Sequence, residues 1–143
     1  MRKLIVVLAL STLLAFAALG QNAPMEQQKI CMERAKQLVE GSKDYRERLN
    51  QSPLLVSVWQ DTNHFNVSDG ICYATTQTTM VETKTNKVVL SEIYITNAFE
   101  GDAVAHFAIE GANLSTCFVE ATKCQSKQEF LRLAMRMQFR RKK

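Results

Sequence analysis

The chain has 143 residues, with 18 Lys and Arg against 14 Asp and Glu, and 46% of it is hydrophobic. This length predicts one domain with a core of its own. Two basic residues lie at positions 2 and 3 and four occupy 140–143, so the remaining chain is near neutral and lacks the basic face of a nucleic-acid-binding protein.

The N-terminal segment has the pattern of a secretory signal peptide, which we place at 1–20. A short basic start precedes an uncharged apolar run over 4–19, and small residues come directly before Gln21. The alternative is an uncleaved anchor, but the run is short for a membrane span of about 20 residues. We therefore expect cleavage after Gly20, a single mature domain over 21–143 and no integral membrane span.

Four cysteines follow the predicted leader, and an even number in an exported chain predicts two disulfides. They are Cys31, Cys72, Cys117 and Cys124. Four cysteines allow three pairings, and free buried thiols are the alternative. We favour Cys117–Cys124, because a short loop can bring these two together, and this leaves Cys31–Cys72 to tie the first helix to the sheet. We expect the protein in the periplasm or secreted, where disulfides persist.

The mature N-terminus is expected to be helical after a mobile start over 21–25. Apolar residues at spacings of i, i+4, i+7 and i+8 predict an amphipathic helix over 26–40. Gly41 is a suitable end for this helix. Ser42 is a suitable cap for a second short helix over 43–49.

An antiparallel sheet of four to five strands is predicted next, because β-branched and aromatic runs are joined by turn-length links. The first strand is expected over 54–59, and a polar loop over 61–70 ends in the turn pair Asp69-Gly70. The further strands are expected over 71–82, 87–96, 103–110 and 114–119.

The C-terminal part predicts a second long helix. Residues from Ser126 to Glu129 match a capping box, in which the two side chains satisfy free backbone N–H groups. Apolar residues at helical spacing follow, and residues 140–143 are expected to form a mobile end. Helix, strands and helix in this order predict an α+β domain of two layers, with the helices covering one face of the sheet.

The first candidate binding residues lie in the predicted 61–70 loop. His64 stands there near Asn66 and Asp69, and a histidine titrates near neutral pH. The alternative is a histidine that hydrogen-bonds the backbone and fixes the turn, and we favour it because no second catalytic partner is identifiable. His106 is expected to be an ordinary sheet residue.

The second candidates are Arg132, Arg136 and Arg140, which share one face of the C-terminal helix ahead of the basic tail. They predict weak contact with anionic surfaces such as lipid or polyanions. A solvated helix face is the alternative, and we favour it because charge runs are usually solubilising.

Motifs for metal or cofactor chemistry are absent from the sequence. The cysteines and histidines form neither a Cys-x₂-Cys nor a His-x₃₋₅-His pair, so zinc is not indicated. The chain also has no glycine-rich phosphate loop and no Gly-x-Ser-x-Gly nucleophile motif. We expect no metal, no cofactor and no nucleic acid partner.

Three blocks of residues resemble a group of small, uncharacterised exported bacterial proteins. The blocks are His64-Phe65-Asn66 with Gly70 to Tyr73, Ile93-Tyr94 with Asn97 to Gly101, and Cys117 to Val119 with Cys124, Ser126 and Glu129-Phe130. Phe65 stands where Tyr is usual, and Asn97 where Asp is common. The resemblance covers 61–139 and implies an envelope-facing bacterial protein without an assigned activity.

These observations predict a non-enzymatic exported module that binds a protein or an envelope component. One alternative is a small-ligand binder or enzyme with its site in the 61–70 loop around His64. The other is an electrostatic adaptor that uses the basic C-terminal helix.

Overall fold

The computed structural model describes the chain over 25–41, at 43 and 47, and over 54–140, with 54–61 as backbone only. The predicted signal peptide, residues 21–24 and 141–143 of the predicted mobile ends, and most of the predicted helix over 43–49 lie outside the described residues. None of the described helices is both long and apolar enough to cross a membrane.

Two helices and a six-stranded antiparallel sheet form the described fold, and each strand pairs with the next one along the chain. Helix α1 covers 25–41. The other elements are β1 (Leu54–Asn66), β2 (Ile71–Glu82), β3 (Lys87–Asn97), β4 (Ala103–Glu110), β5 (Asn113–Val119), β6 (Thr122–Lys123) and α2 (Lys127–Gln138). The predicted α+β class is confirmed. The predicted strand number was too low, because β6 has two residues and therefore no periodic pattern.

The predicted polar loop over 61–70 was wrong for its first part. Strand β1 continues to Asn66, after a register shift between Gln60 and Thr62. Pairing with β2 decides the conformation here, because strand formation depends on neighbours more than on local composition. Only a four-residue turn remains, and it ends at Gly70, whose φ of 73° suits glycine.

The larger hydrophobic core lies between α2 and one face of the sheet. Side chains from four strands contribute to it, among them Tyr73 and Phe107, and both are almost fully buried. Phe130 and Met137 of α2 are buried against this face, with the rings of Phe107 and Phe130 5.6 Å apart. Burial of such large side chains fixes α2 on the sheet, since each contributes about 1.5–3 kcal/mol.

The predicted capping box at the start of α2 is confirmed for Ser126, and Glu129 accepts from the residue before the cap rather than from the cap itself. The Ser126 hydroxyl accepts a hydrogen bond from the Glu129 N–H at 3.2 Å. The Glu129 carboxylate accepts one from the Gln125 N–H at 2.9 Å, one residue before the cap. These bonds satisfy backbone donors that a helix start leaves without partners.

Helix α1 lies on the opposite face of the sheet from α2. Cys72 precedes Tyr73 on β2, and successive strand residues point to opposite faces. Cys72 is bonded to Cys31 of α1, and Ala35 is buried beside this pair. The predicted two-layer arrangement was therefore wrong, because α1 and α2 enclose the sheet from both sides.

Helix α1 also covers part of the outer edge of β1. The side-chain oxygen of Gln28 accepts a hydrogen bond from the Phe65 N–H at 2.9 Å. The same side chain donates to the Asn63 oxygen at 2.9 Å. A backbone N–H that faces away from β2 is thereby satisfied by α1.

Both predicted disulfides are present, Cys31–Cys72 and Cys117–Cys124. All four cysteines are used. The first joins residues 41 positions apart and connects α1 to β2, whereas the second joins residues 7 positions apart and connects β5 to the start of α2.

Removing the long-range disulfide is expected to destabilise the protein more than removing the short-range one. Cys31→Ala with Cys72→Ala releases a sequence separation of 41, and Cys117→Ala with Cys124→Ala releases one of 7. Loop-closure entropy makes the first loss larger by about 1.5 kcal/mol, within a total of about 2–5 kcal/mol. Urea unfolding under non-reducing conditions measures the free energy of unfolding of both double variants. Equal losses of this free energy would contradict the expectation.

Candidate functional site

Four of the six predicted binding residues meet where the β1–β2 turn contacts the end of α2. They are His64, Asn66, Asp69 and Arg140. The ring of His64 lies 4.5 Å from the ring of Phe139, directly after the helix. The question is whether these side chains are available to a ligand.

Both polar atoms of the Asn66 side chain form hydrogen bonds within the chain, and two of these bonds hold the end of α2. Its side-chain NH₂ donates to the Gln138 carbonyl at 3.0 Å and to the Arg140 carbonyl at 3.1 Å. Its oxygen accepts from the Ser68 N–H at 2.9 Å. The side chain is buried, and it satisfies the carbonyl of Gln138, the last residue of α2, which the end of a helix leaves without a partner, together with that of Arg140 two residues beyond. Asn66 therefore positions α2.

Asp69 is likewise engaged within the chain. One carboxylate oxygen accepts from the Ile71 N–H at 3.2 Å, and the other accepts from the Tyr73 hydroxyl at 3.2 Å. Burial raises the pKa of Tyr73 to about 12, and the charge and hydrogen bond of Asp69 act in the same direction. Tyr73 therefore remains a neutral donor to Asp69 at physiological pH.

Two of the three predicted arginines form ion pairs. Arg140 donates to Glu120 at 2.6 Å, and this carboxylate raises the pKa of Arg140. Arg132 lies 3.8 Å from Glu129 near the start of α2. Such exposed pairs contribute little stability, but they reduce the net positive charge of this helix face. Arg136 forms no ion pair with a described residue.

A second cluster of side chains, on the sheet face opposite α2, was not predicted from the sequence. The ring of His106 stacks on Tyr94 at 3.9 Å and meets the edge of Phe118 at 6.1 Å. Its Nε2 lies 3.4 Å from the Glu92 carboxylate, and the two side chains are 14% and 18% exposed. Strand pairing sets Tyr94, His106 and Phe118 side by side on β3, β4 and β5.

The third feature is an open strand edge. Strand β6 pairs only with Phe118 and Val119 of β5. In the part of the chain that the structure describes, no strand pairs with residues 113–116 on their outer side, and we call this segment the β5 edge. Leu114 is exposed within it. None of the residues of β5 is charged.

A cleft of about 350 Å³ follows the β5 edge. Its lining residues are Leu114, Ser115, Thr116, Cys117, Phe118, Lys123 and Cys124. An open edge offers backbone N–H and C=O groups to an incoming strand, and neighbouring apolar side chains add affinity. The β5 edge is thus suited to binding an extended segment of protein.

No protein-family model, curated protein or solved structure matches this chain. The resemblance to small exported bacterial proteins stays a prediction. The described residues contain no group of three or more His, Cys, Asp or Glu side chains placed to hold a metal ion. The candidate site is therefore identified from the geometry of the described residues alone.

Asn66→Ala is expected to destabilise the protein by about 1–3 kcal/mol, because it leaves the Gln138 and Arg140 carbonyls and the Ser68 N–H without their partner. Asn66→Asp should cost more at neutral pH, since it places negative charge at the end of α2 that already carries partial negative charge. The exposed Asn113→Ala is the matched control. Chemical denaturation measures all three, and equal losses for Asn66→Ala and Asn113→Ala would contradict the assigned role.

Tyr73 is expected to make stability sensitive to alkaline pH. The folded state holds the phenol proton more tightly, with its pKa raised from 10.0 to about 12. Between these values the folded state binds more protons than the unfolded state, so the free energy of unfolding falls as pH rises. Tyr73→Phe should remove this component. Unfolding of both proteins below pH 10 and near pH 12 measures it, and equal slopes would contradict the assignment.

Proposed function

We propose that this chain is an exported, non-enzymatic binding domain, and that an extended segment of a partner protein adds to the β5 edge. The observation that carries the proposal is the uncharged open edge with its adjacent cleft. Sheets that avoid such contacts usually protect an edge with charged residues, Pro, β-bulges or a covering element. Residues 113–116 carry neither charge nor Pro, and the one protective feature among them is the register shift of β5 against β4 at Ser115.

Export is supported by the leader-like N-terminal sequence and by two disulfides. A protein outside the cytoplasm benefits from cross-links that persist there. Periplasmic residence or secretion remains part of the proposal.

The alternative site around His64 receives less support. Asn66, Asp69 and Arg140 use their polar atoms in contacts with the chain itself. A ligand site needs several polar groups that converge on free space. The segment around His64 is also a paired strand, whereas the alternative assumed a loop.

The electrostatic alternative depends on free positive charge along α2. Arg132 and Arg140 are paired with Glu129 and Glu120, which leaves Arg136 as the one of the three without an ion pair to a described residue. A paired arginine adds little net positive charge to the helix face, and salt screens what remains beyond about 10 Å at 0.1 M. A contact through the sheet edge accounts better for the described surface.

A photo-crosslinking side chain at Ser115 is expected to capture a partner protein in cells that express the full chain. The same group at Val88, an exposed position on β3, is the matched control and should capture little. Leu114→Lys should lower the yield from Ser115, because a charge beside the cleft opposes an apolar contact. Equal capture from both positions, or a yield unchanged by Leu114→Lys, would contradict the proposal.

A further inference from the structure

We propose that the outer side of α2 lies on a lipid surface that carries negative charge, a contact separate from the β5 edge. Leu131, Met135 and Phe139 are 45%, 62% and 58% exposed. They are spaced by four residues and therefore form one row along the helix. Phe139 still belongs to this row, because its N–H donates to the Met135 carbonyl at 3.1 Å. A contiguous exposed apolar row, unlike scattered apolar residues, indicates a contact surface for a protein or a membrane.

An arginine follows each residue of this apolar row. Arg132, Arg136 and Arg140 are exposed, and each lies one position further along, which is about 100° around the helix. The buried side of α2 faces the sheet, so the apolar row and the arginines share the outer side. With 12 residues, α2 is too short to cross a bilayer. Its pattern is that of a helix in the plane of a membrane interface, where apolar side chains enter the lipid and arginines stay among the headgroups.

The charge of the chain is distributed unevenly, in a way that favours an anionic surface. Residues 127–143 contain seven Lys or Arg and one Glu, whereas residues 21–126 contain nine Lys or Arg and 13 Asp or Glu. The C-terminal part is therefore positive and the rest of the domain is negative. Glu129 and Glu120 each pair with one arginine, but Arg136, beside the middle of the apolar row, forms no ion pair with a described residue. Anionic headgroups attract such a basic cluster.

Charge alone does not account for this surface. A contact that depends on one unpaired arginine of α2 and the residues after it is weakened by salt. Entry of the apolar row among the acyl chains adds apolar burial, which salt does not screen. Helices at a membrane interface combine the two contributions, since their binding follows both the apolar area buried and the attraction to anionic lipid.

A lipid surface fits the apolar row better than a protein partner does. The row stands on the outer side of a single helix, and the cavity of about 250 Å³ at the start of α2 is lined by polar side chains only. These are Ser126, Gln128, Glu129 and Arg132. Protein partners are usually anchored by an apolar or aromatic side chain in a well-packed pocket, which this cavity does not offer. Acyl chains adapt to a protruding row and need no pocket.

The β1–β2 turn supports one end of the apolar row. The ring of Phe139 lies 4.5 Å from the ring of His64, and Asn66 holds the carbonyls of the residues before and after Phe139. Val67, directly after Asn66 in the chain, is 69% exposed and places a further apolar side chain at this end. A surface that is already in position loses less conformational freedom when it binds.

Vesicle co-sedimentation of the purified, disulfide-bonded protein tests the inference. Vesicles of phosphatidylcholine with about one third phosphatidylglycerol should bind the protein at least about tenfold more tightly than phosphatidylcholine alone. Leu131→Gln with Met135→Gln should lower the partition coefficient to the anionic vesicles by about tenfold or more, because two apolar side chains no longer enter the lipid. Arg136→Gln should lower it by about fivefold.

Met32→Gln is the matched control, because Met32 is a 51% exposed methionine on α1, and it should leave the partition coefficient unchanged. All substituted side chains are exposed, so an unchanged melting temperature separates a lost contact from a lost fold. No binding to the anionic vesicles, or equal losses for Met32→Gln and the double variant, would overturn the inference. Binding through the apolar residues 4–19 would be insensitive to the double variant and would also overturn it.

Two further outcomes separate this contact from the other proposals. A chain that binds no vesicles but crosslinks to a protein from a photo-reactive side chain at Met135 would overturn the lipid surface in favour of a protein partner. Leu131→Gln with Met135→Gln should leave crosslinking from Ser115 unchanged, since Ser115 lies on the β5 edge. Loss of both the vesicle binding and the Ser115 crosslink in this double variant would overturn two separate contacts.

Discussion

The attachment of α1 to the sheet depends on the Cys31–Cys72 disulfide. Among the described residues, the fully buried ones beneath α1 are Cys and Ala, with Leu38 and Phe65 partly buried beside them, whereas those beneath α2 include Tyr, Phe, Ile and Met. Stabilisation from apolar burial scales with area, so these described residues bury less apolar area under α1 than under α2. The disulfide lowers the chain entropy of the unfolded state, and this stabilisation compensates for the small apolar contact under α1.

The same bond determines which edge of the sheet is closed. Gln28 is held near β1 because Cys31, one turn further along α1, is fixed to β2, and Gln28 then accepts from the Phe65 N–H. At the far side of the sheet β6 is too short to cover β5. Helix α1 thus covers the outer edge of β1 near Phe65, and in the described residues no strand covers the outer side of residues 113–116 of β5.

The sequence predicts well what depends on local pattern. The strands over 71–82 and 103–110, the Ser126 cap and the short Cys117–Cys124 loop each involve neighbouring residues, and each was predicted correctly. Features that depend on pairing between distant segments were missed. Residues 61–66 have a loop composition but are held as a strand by β2, and opposite-face placement of the helices follows from the pairing of Cys31 with Cys72 beside Tyr73.

The candidate residues show the same division. Asn66 and Asp69 were selected for their polarity, yet their partners are the end of α2 and Tyr73, which no local pattern reveals. The stack of Tyr94 on His106 needed the β3–β4 register, in which paired residue numbers sum to a constant, as in Glu92 with Ala108. Counting outward in both directions from the turn over 98–102 would have placed Tyr94 opposite His106.

An open strand edge can pair with another chain, whereas a covered one cannot. Near Phe65 the outer edge of β1 is covered by Gln28. If the long-range disulfide is lost, α1 no longer holds Gln28 in place, and the N–H of Phe65 becomes free to pair with another chain. The disulfide that secures α1 therefore also keeps the Phe65 N–H from pairing with another chain.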